Sequence, residues 1–225
     1  MSGLTRSFQE LALQLFDVGA VQFGAFKLKL HETNPAAPLS PIYFNFRTSD
    51  NPKPGPLTSA IVQRIALMMH GLAGLYGLQF EHVVGVPRAG DPLAREFVSI
   101  PFQTETLSLL QLDKSEVEGK RMVAGIKNGR YRVGQIVLLV DDLITEAHSK
   151  MEAIEVLERA GLSVRHVLVI LDREQGGAKE LRQRGYQLHS LLSLSPLIRF
   201  YCETGKITEE KYREVVVYLK QQTTT

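Results

Sequence analysis

Two adjacent carboxylates, Asp141 and Asp142, follow five apolar residues at 136–140 and precede the polar stretch LITEAHS. A short apolar run of this kind predicts a buried strand that delivers both acids at its end. There the pair can accept hydrogen bonds from the vicinal hydroxyls of a ribose, or hold Mg2+ through water. The helix expected to follow offers free N–H groups to a phosphate at its start. The acids can equally serve as a helix cap that keeps a strand end in water. In an open parallel sheet, ligands bind beyond the carboxyl ends of the strands. Three such ends therefore matter: VPRAGDP, VDDLITEAHS and LDREQGG.

Periodicity predicts the elements that position them. Phe8, Leu11, Ala12, Leu15 and Phe16 recur at helical spacing, and Ser7 with Glu10 has the form of a capping box. VQFGAFKLKL and PIYFNFR alternate like strands around a proline-rich break at 34–41, which predicts a hairpin or small β-subdomain. Residues 57–72 read as a long apolar helix. Then FEHVVGVP, QIVLLVDD and VRHVLVILD are short apolar strands, followed by the helices PLAREFVS, SKMEAIEVLERAG and AKELRQRG. That alternation predicts an α/β fold whose parallel sheet is covered on both faces. A last helix is expected at 209–221 after Thr208. The expected division is one domain at 1–205, with the β-subdomain at 20–50, and a carboxy-terminal helix and tail at 206–225.

Composition narrows the partners. The chain has 225 residues, 44% hydrophobic and 22% charged, enough for one core and too short for two full domains. Lys and Arg number 26 against 24 acids, so no global basic field suits nucleic acid or an anionic membrane, and an anionic substrate must be held locally. The single cysteine, Cys202, excludes an intrachain disulfide and a cysteine zinc cluster. No apolar run reaches membrane-spanning length. The start is interrupted by Arg6, Gln9, Glu10, Gln14 and Asp17 and has no apolar signal core, so a cytoplasmic location is expected. No strand is followed by GxGxxG, which argues against dinucleotide binding.

VLLVDDLITEAHS resembles the phosphoribosyl-pyrophosphate loop of type I phosphoribosyltransferases, and LDREQGG the orotate-binding strand end of the orotate phosphoribosyltransferases among them. FGAFKLKL with SPIYFNFR is similar to that family's amino-terminal hood, and GVPRAGDPLA stands where the family cups pyrophosphate. LSPLIRFYCETGKITEEKYREVVVYL is similar to the helix and linker leading to orotidylate decarboxylase in bifunctional UMP synthases. The resemblance implies the type I phosphoribosyltransferase fold. It also implies transfer of ribose 5-phosphate from phosphoribosyl pyrophosphate to N1 of orotate, with Mg2+, in UMP biosynthesis. Residue by residue, it implies Asp141 and Asp142 on the ribose hydroxyls and as candidate Mg2+ ligands beside the pyrophosphate. Thr145, Glu146, Ala147, His148 and Ser149 would surround the 5′-phosphate, and Arg88 would face the pyrophosphate. Arg173 would hold the orotate carboxylate, which its planar fork suits; the alternative is that it ties down Glu174. Lys29, Tyr43 and Phe44 would line the base side, and Lys114 and Lys120 with Asp142 would form the catalytic set. The implied partners are a second copy of the chain, forming a homodimer, and an orotidylate decarboxylase.

The chain departs from the family pattern at three places. Glu146 and Ala147 replace a small residue and glycine in the phosphate turn. A carboxylate about 5 Å from a phosphate opposes binding by about 1 kcal/mol in water, whereas His148 either compensates or faces solvent. In LSLLQLDKSEVEGKRMVAGI, taken as the mobile catalytic loop, Gln111 and Leu112 stand where the family has Arg-Lys. In VPRAGDP, Ala89 replaces a lysine, with Arg88 one position earlier. Besides the enzyme, a non-catalytic relative that binds a nucleotide as partner or regulator fits these departures.

Overall fold

Val137 and Leu139 face one side of their strand, Leu138 and Val140 the other, and all four are fully buried. The same alternation recurs at Val167 to Ile170. A strand buried on both sides needs a cover on each, because every such side chain contributes roughly 1.5 to 3 kcal/mol only when water is excluded. The structure, a computed structural model, describes residues 4–28, 31, 34–101, 107–117 and 120–223, with the backbone alone described at 114–117, 120–122 and 223.

The chain begins with α1 (Arg6–Asp17), the antiparallel pair β1 (Val21–Phe26) and β2 (Ser40–Phe44), and α2 (Ser59–Leu75). Then come β3 (His82–Gly85), α3 (Gly90–Ser99), β4 (Ser108–Val117), β5 (Lys120–Asn128), β6 (Ile136–Ile144) and α4 (His148–Arg159). It ends with β7 (Ser163–Asp172), α5 (Gly177–Gln183), β8 (Gln187–Ser193), α6 (Leu194–Glu203) and α7 (Glu209–Thr223). The main sheet has the order β5-β4-β3-β6-β7-β8, parallel throughout except for the edge strand β5. Helices α4 and α5 cover one face through Met151, Ile154, Leu157 and Leu181. On the other face, α1, α2, α3, α6 and α7 share one core with the small β1–β2 sheet, and α7 packs on β2.

Two expectations need correction. The stretch read as a loop is an antiparallel ribbon, paired from Gln111 with Asn128 to Val117 with Lys120. Leu110 and Leu112 are buried at alternate positions, and Val123 is buried on β5, so a period-2 pattern underlies a charge-rich sequence. The capping box at Ser7 is not formed. Helix α1 starts at Arg6 without a side-chain cap, and Glu10 instead pairs with Arg6 at 3.2 Å and Arg64 at 3.1 Å.

Glycines set the closest approach in the fold. A Cβ on Gly90 would lie 2.4 Å from the Val140 carbonyl oxygen, and one on Gly85 would lie 2.5 Å from the Gly90 carbonyl carbon. The start of α3 is thereby pressed against the ends of β3 and β6. Gly90→Ala is expected to lower stability by about 1 to 3 kcal/mol, as overpacking does; an unchanged urea midpoint would show that the junction yields.

Candidate functional site

β3 and β6 are neighbours, yet the chain leaves β3 for β4 on one side and β6 for β7 on the other. The strand order switches between them, so their carboxyl ends open a crevice. The Val86 N–H donates to the Val140 carbonyl at 2.8 Å, which fixes the turn carrying Arg88 against the acidic strand end.

At that end the two acids differ. Asp141 is 4% exposed; its Oδ1 accepts the Asp142 N–H at 2.8 Å and its Oδ2 lies 2.6 Å from the Lys150 ammonium. Asp142 is only partly buried, and its Oδ1 accepts the Leu143 N–H at 2.7 Å. Burial first, and then the charge of Asp141, push the Asp142 carboxyl up to about 7, against the opposing pull of Lys150 and the Leu143 N–H. A raised carboxyl means that the folded state binds the extra proton between pH 4 and 7. Its stabilisation is therefore present at low pH and lost as the pH rises through 7. Asp142→Asn removes that loss. The ligand-free variant is expected to exceed the parent by roughly 1 to 3 kcal/mol at pH 8 and to match it near pH 4; equal unfolding curves at pH 8 would contradict this.

The turn after β6 is held from α5. The Thr145 carbonyl accepts the Gly177 N–H at 3.0 Å, and a Cβ on Gly177 would meet Ile144 Cγ1 at 2.5 Å. Thr145 and Ser149 are half-buried and Ala147 is fully buried, whereas Glu146 is exposed. His148 is also exposed, 3.4 Å from Glu152 one turn along α4, so its side chain is directed along the helix surface. The Ala147 N–H donates to Glu180 at 3.3 Å, placing a carboxylate from α5 at the start of α4.

Arg173 stands at the end of β7 with its backbone N–H on the Ile144 carbonyl at 2.9 Å. Its side chain is 4% exposed, lies 5.7 Å from the centre of the Phe44 ring, and reaches Ser40 Oγ at 3.4 Å. Its Nε has no hydrogen-bond partner among the described residues, nor has the hydroxyl of Tyr218 on α7, which is its electrostatic neighbour. Burial draws the guanidinium below its ordinary value, and Tyr218 opposes that shift. Glu174 is occupied elsewhere, accepting the Ser195 N–H at 2.6 Å, so Arg173 does not tie it down. Successive strand residues point to opposite faces. Phe44 accordingly meets Arg173, while Tyr43 stacks on Phe26 at 5.4 Å and its hydroxyl accepts Arg47 at 3.2 Å.

Arg88 lines a cleft of about 240 Å³ with Pro87, Asp91, Gln111, Asp113 and Lys127. Lys29 lies outside the described residues, as do the side chains of Lys114 and Lys120. Lys127, Lys150, Glu180 and Tyr218 escaped the sequence reading. Lys150 alone had a signal there, a cation between Ala147 and Met151 on the apolar side of a helix. Among the described residues, no group of three or more His, Cys, Asp or Glu side chains could hold a metal, and no helix is long and apolar enough to cross a membrane.

Residues 54–187 match the phosphoribosyl transferase domain family. The chain is 30% identical over 211 residues to an orotate phosphoribosyltransferase of Pyrobaculum aerophilum, covering 92% of this chain and 97% of that protein. It is 30% identical over 214 residues to uridine 5'-monophosphate synthase of Bos taurus, covering 94% of this chain and 40% of the relative. The structure of Leishmania donovani UMP synthase superposes with a TM-score of 0.75 at 28% identity, over 96% of this chain and 43% of that one. The chain thus spans about two fifths of the length of these UMP synthases.

Proposed function

From a chain that belongs to the phosphoribosyl transferase domain family, and within it to the orotate phosphoribosyltransferases, we propose an enzyme that joins orotate to the ribose 5-phosphate of phosphoribosyl pyrophosphate in UMP biosynthesis. The observation that carries this reading is Arg173: a buried guanidinium with Nε unpaired, set against an aromatic ring at the end of β7, the strand that pairs with the acid-bearing β6. A buried donor without a partner is costly, and a planar carboxylate beside Phe44 removes that cost.

In the reaction N1 of orotate supplies the electron pair for the new bond to ribose C1, its proton is lost, and the C1–O bond to pyrophosphate breaks with the pair leaving on oxygen. The transition state carries positive charge on the ribose, so the protein contributes position, counter-charge and exclusion of water rather than covalent bonds. Asp142 faces the ribose, the α4 N-terminus with Thr145 and Ser149 takes the 5′-phosphate, and Arg88 with Lys127 lines the pyrophosphate cleft. Mg2+ would be carried on the substrate's own pyrophosphate and water beside Asp142, and would supply positive charge to the leaving group there. In this reading Lys29 stands on the base side, and Lys114 and Lys120 over the pyrophosphate.

The same reading includes a homodimer in the cytoplasm. Beyond Leu110, where β4 ceases to pair with β3, the β4–β5 ribbon extends past the sheet and can reach a second copy. The partial coverage of the UMP synthases supports an orotidylate decarboxylase as a further partner. Purified protein given orotate, phosphoribosyl pyrophosphate and Mg2+ should consume orotate absorbance and release pyrophosphate in equal amounts. Absence of both would refute the proposal.

A further inference from the structure

Lys150 is the third residue of α4, on the side of the helix that carries Ala147, Met151 and Ile154 into the core. Helical spacing calls for an apolar residue there, and a lysine buried to 4% exposure needs full compensation. It has it. The ammonium lies 2.6 Å from Asp141 Oδ2, donates to the Leu143 carbonyl, and stands 3.5 Å from Ser149 Oγ, so all three of its N–H donors have acceptors. Asp141 is equally committed, with Oδ1 on the Asp142 N–H and the carboxylate 4% exposed. Asp142 accepts the Leu143 N–H through Oδ1, shares a side-chain hydrogen bond with Asp141, and is partly open to the crevice.

We propose that Lys150 is a built-in counter-ion of the ribose site: it claims Asp141 as a structural anion, so that ribose hydroxyls are recognised by Asp142. The proposal rests on the ribosyl phosphate reading of the site. Lys150 is a positioning residue, acting through Asp141 on the charge that the strand end presents. With the cation in place, the acid pair and Lys150 together carry one negative charge fewer than the acids alone, which lessens repulsion of a polyanionic ligand.

The test is calorimetric binding of phosphoribosyl pyrophosphate to the full chain with Mg2+, each variant being checked for native circular dichroism. Asp142→Asn should weaken binding by about tenfold or more, the loss expected for a charge-assisted hydrogen bond, and by at least about tenfold more than the paired variant Asp141→Asn/Lys150→Met. Lys150→Met alone, which frees the charge of Asp141, should weaken binding and steepen its dependence on salt. Adding Asp141→Asn to it should recover part of the affinity. Equal losses for Asp142→Asn and the paired variant would overturn the proposal and leave the ribosyl phosphate reading standing. So would unchanged or tighter binding by Lys150→Met. A folded parent that binds no phosphoribosyl pyrophosphate would overturn both.

Discussion

Replacing Arg173 with alanine is expected to weaken orotate binding by about 2 to 4 kcal/mol, the cost of losing a desolvated, charge-assisted pair, while binding of phosphoribosyl pyrophosphate stays nearly constant. The asymmetry follows from position. Arg173 contacts Phe44 and Ser40 on the small sheet, whereas the acids and the phosphate turn lie at the ends of β6 and the start of α4. Truncation also empties space beside Tyr218 and Phe44, so the urea midpoint must be measured alongside. Arg173→Lys separates the two contributions: it keeps a charge but not the fork, and should recover only part of the orotate affinity. If calorimetry finds both ligands weakened equally, Arg173 supports the whole crevice rather than the base, and the orotate assignment falls.

The buried pair under the acidic strand end carries the second large effect. Asp141→Ala leaves the Lys150 ammonium without its anion in a place where both side chains are about 5% exposed. Removing one partner of such a pair costs about 3 to 5 kcal/mol, chiefly the penalty for an uncompensated buried charge. Urea unfolding of the ligand-free protein should register that loss. Removing both charges in Asp141→Asn/Lys150→Met should recover most of it, since a buried ion pair is worth little more than a neutral packing of similar size. A loss of less than about 1 kcal/mol for Asp141→Ala would mean that water reaches Lys150 and that the pair behaves like an exposed one.

Local sequence carried much of the fold and part of the site. The apolar run at 136–140, the helical spacing of 8–16 and the strand-like runs at 82–86 and 164–171 each reflect a side-chain period, and a period survives without knowledge of neighbours. The acid pair, Arg173 and the turn at Arg88 were legible because chemistry at strand ends stands out against apolar strands. The ribbon at 108–128 was not. Its alternation is diluted by charged residues and two register shifts, and strand pairing is a contact between distant residues that neither strand encodes alone. Strand β8, in QLHSLLS, was missed for the same reason: it is a strand because β7 lies beside it.

Which side chains of the site meet was settled by packing alone. Tyr43 and Phe44 are adjacent aromatic residues with equal claims in sequence, and the pleat sends Phe44 to Arg173 and Tyr43 to Phe26. Tyr218 lies 45 residues beyond Arg173 in the chain, and only the docking of α7 on β2 brings its hydroxyl near the guanidinium. Asp141 and Asp142 look alike as letters, but the Lys150 ammonium packs against Asp141 at 2.6 Å, while Asp142 stays partly open and accepts the Leu143 N–H. Residue type and spacing determine which chemistry is possible at such a strand end. Burial and the partner presented by another element decide which of two identical carboxylates is free to perform it.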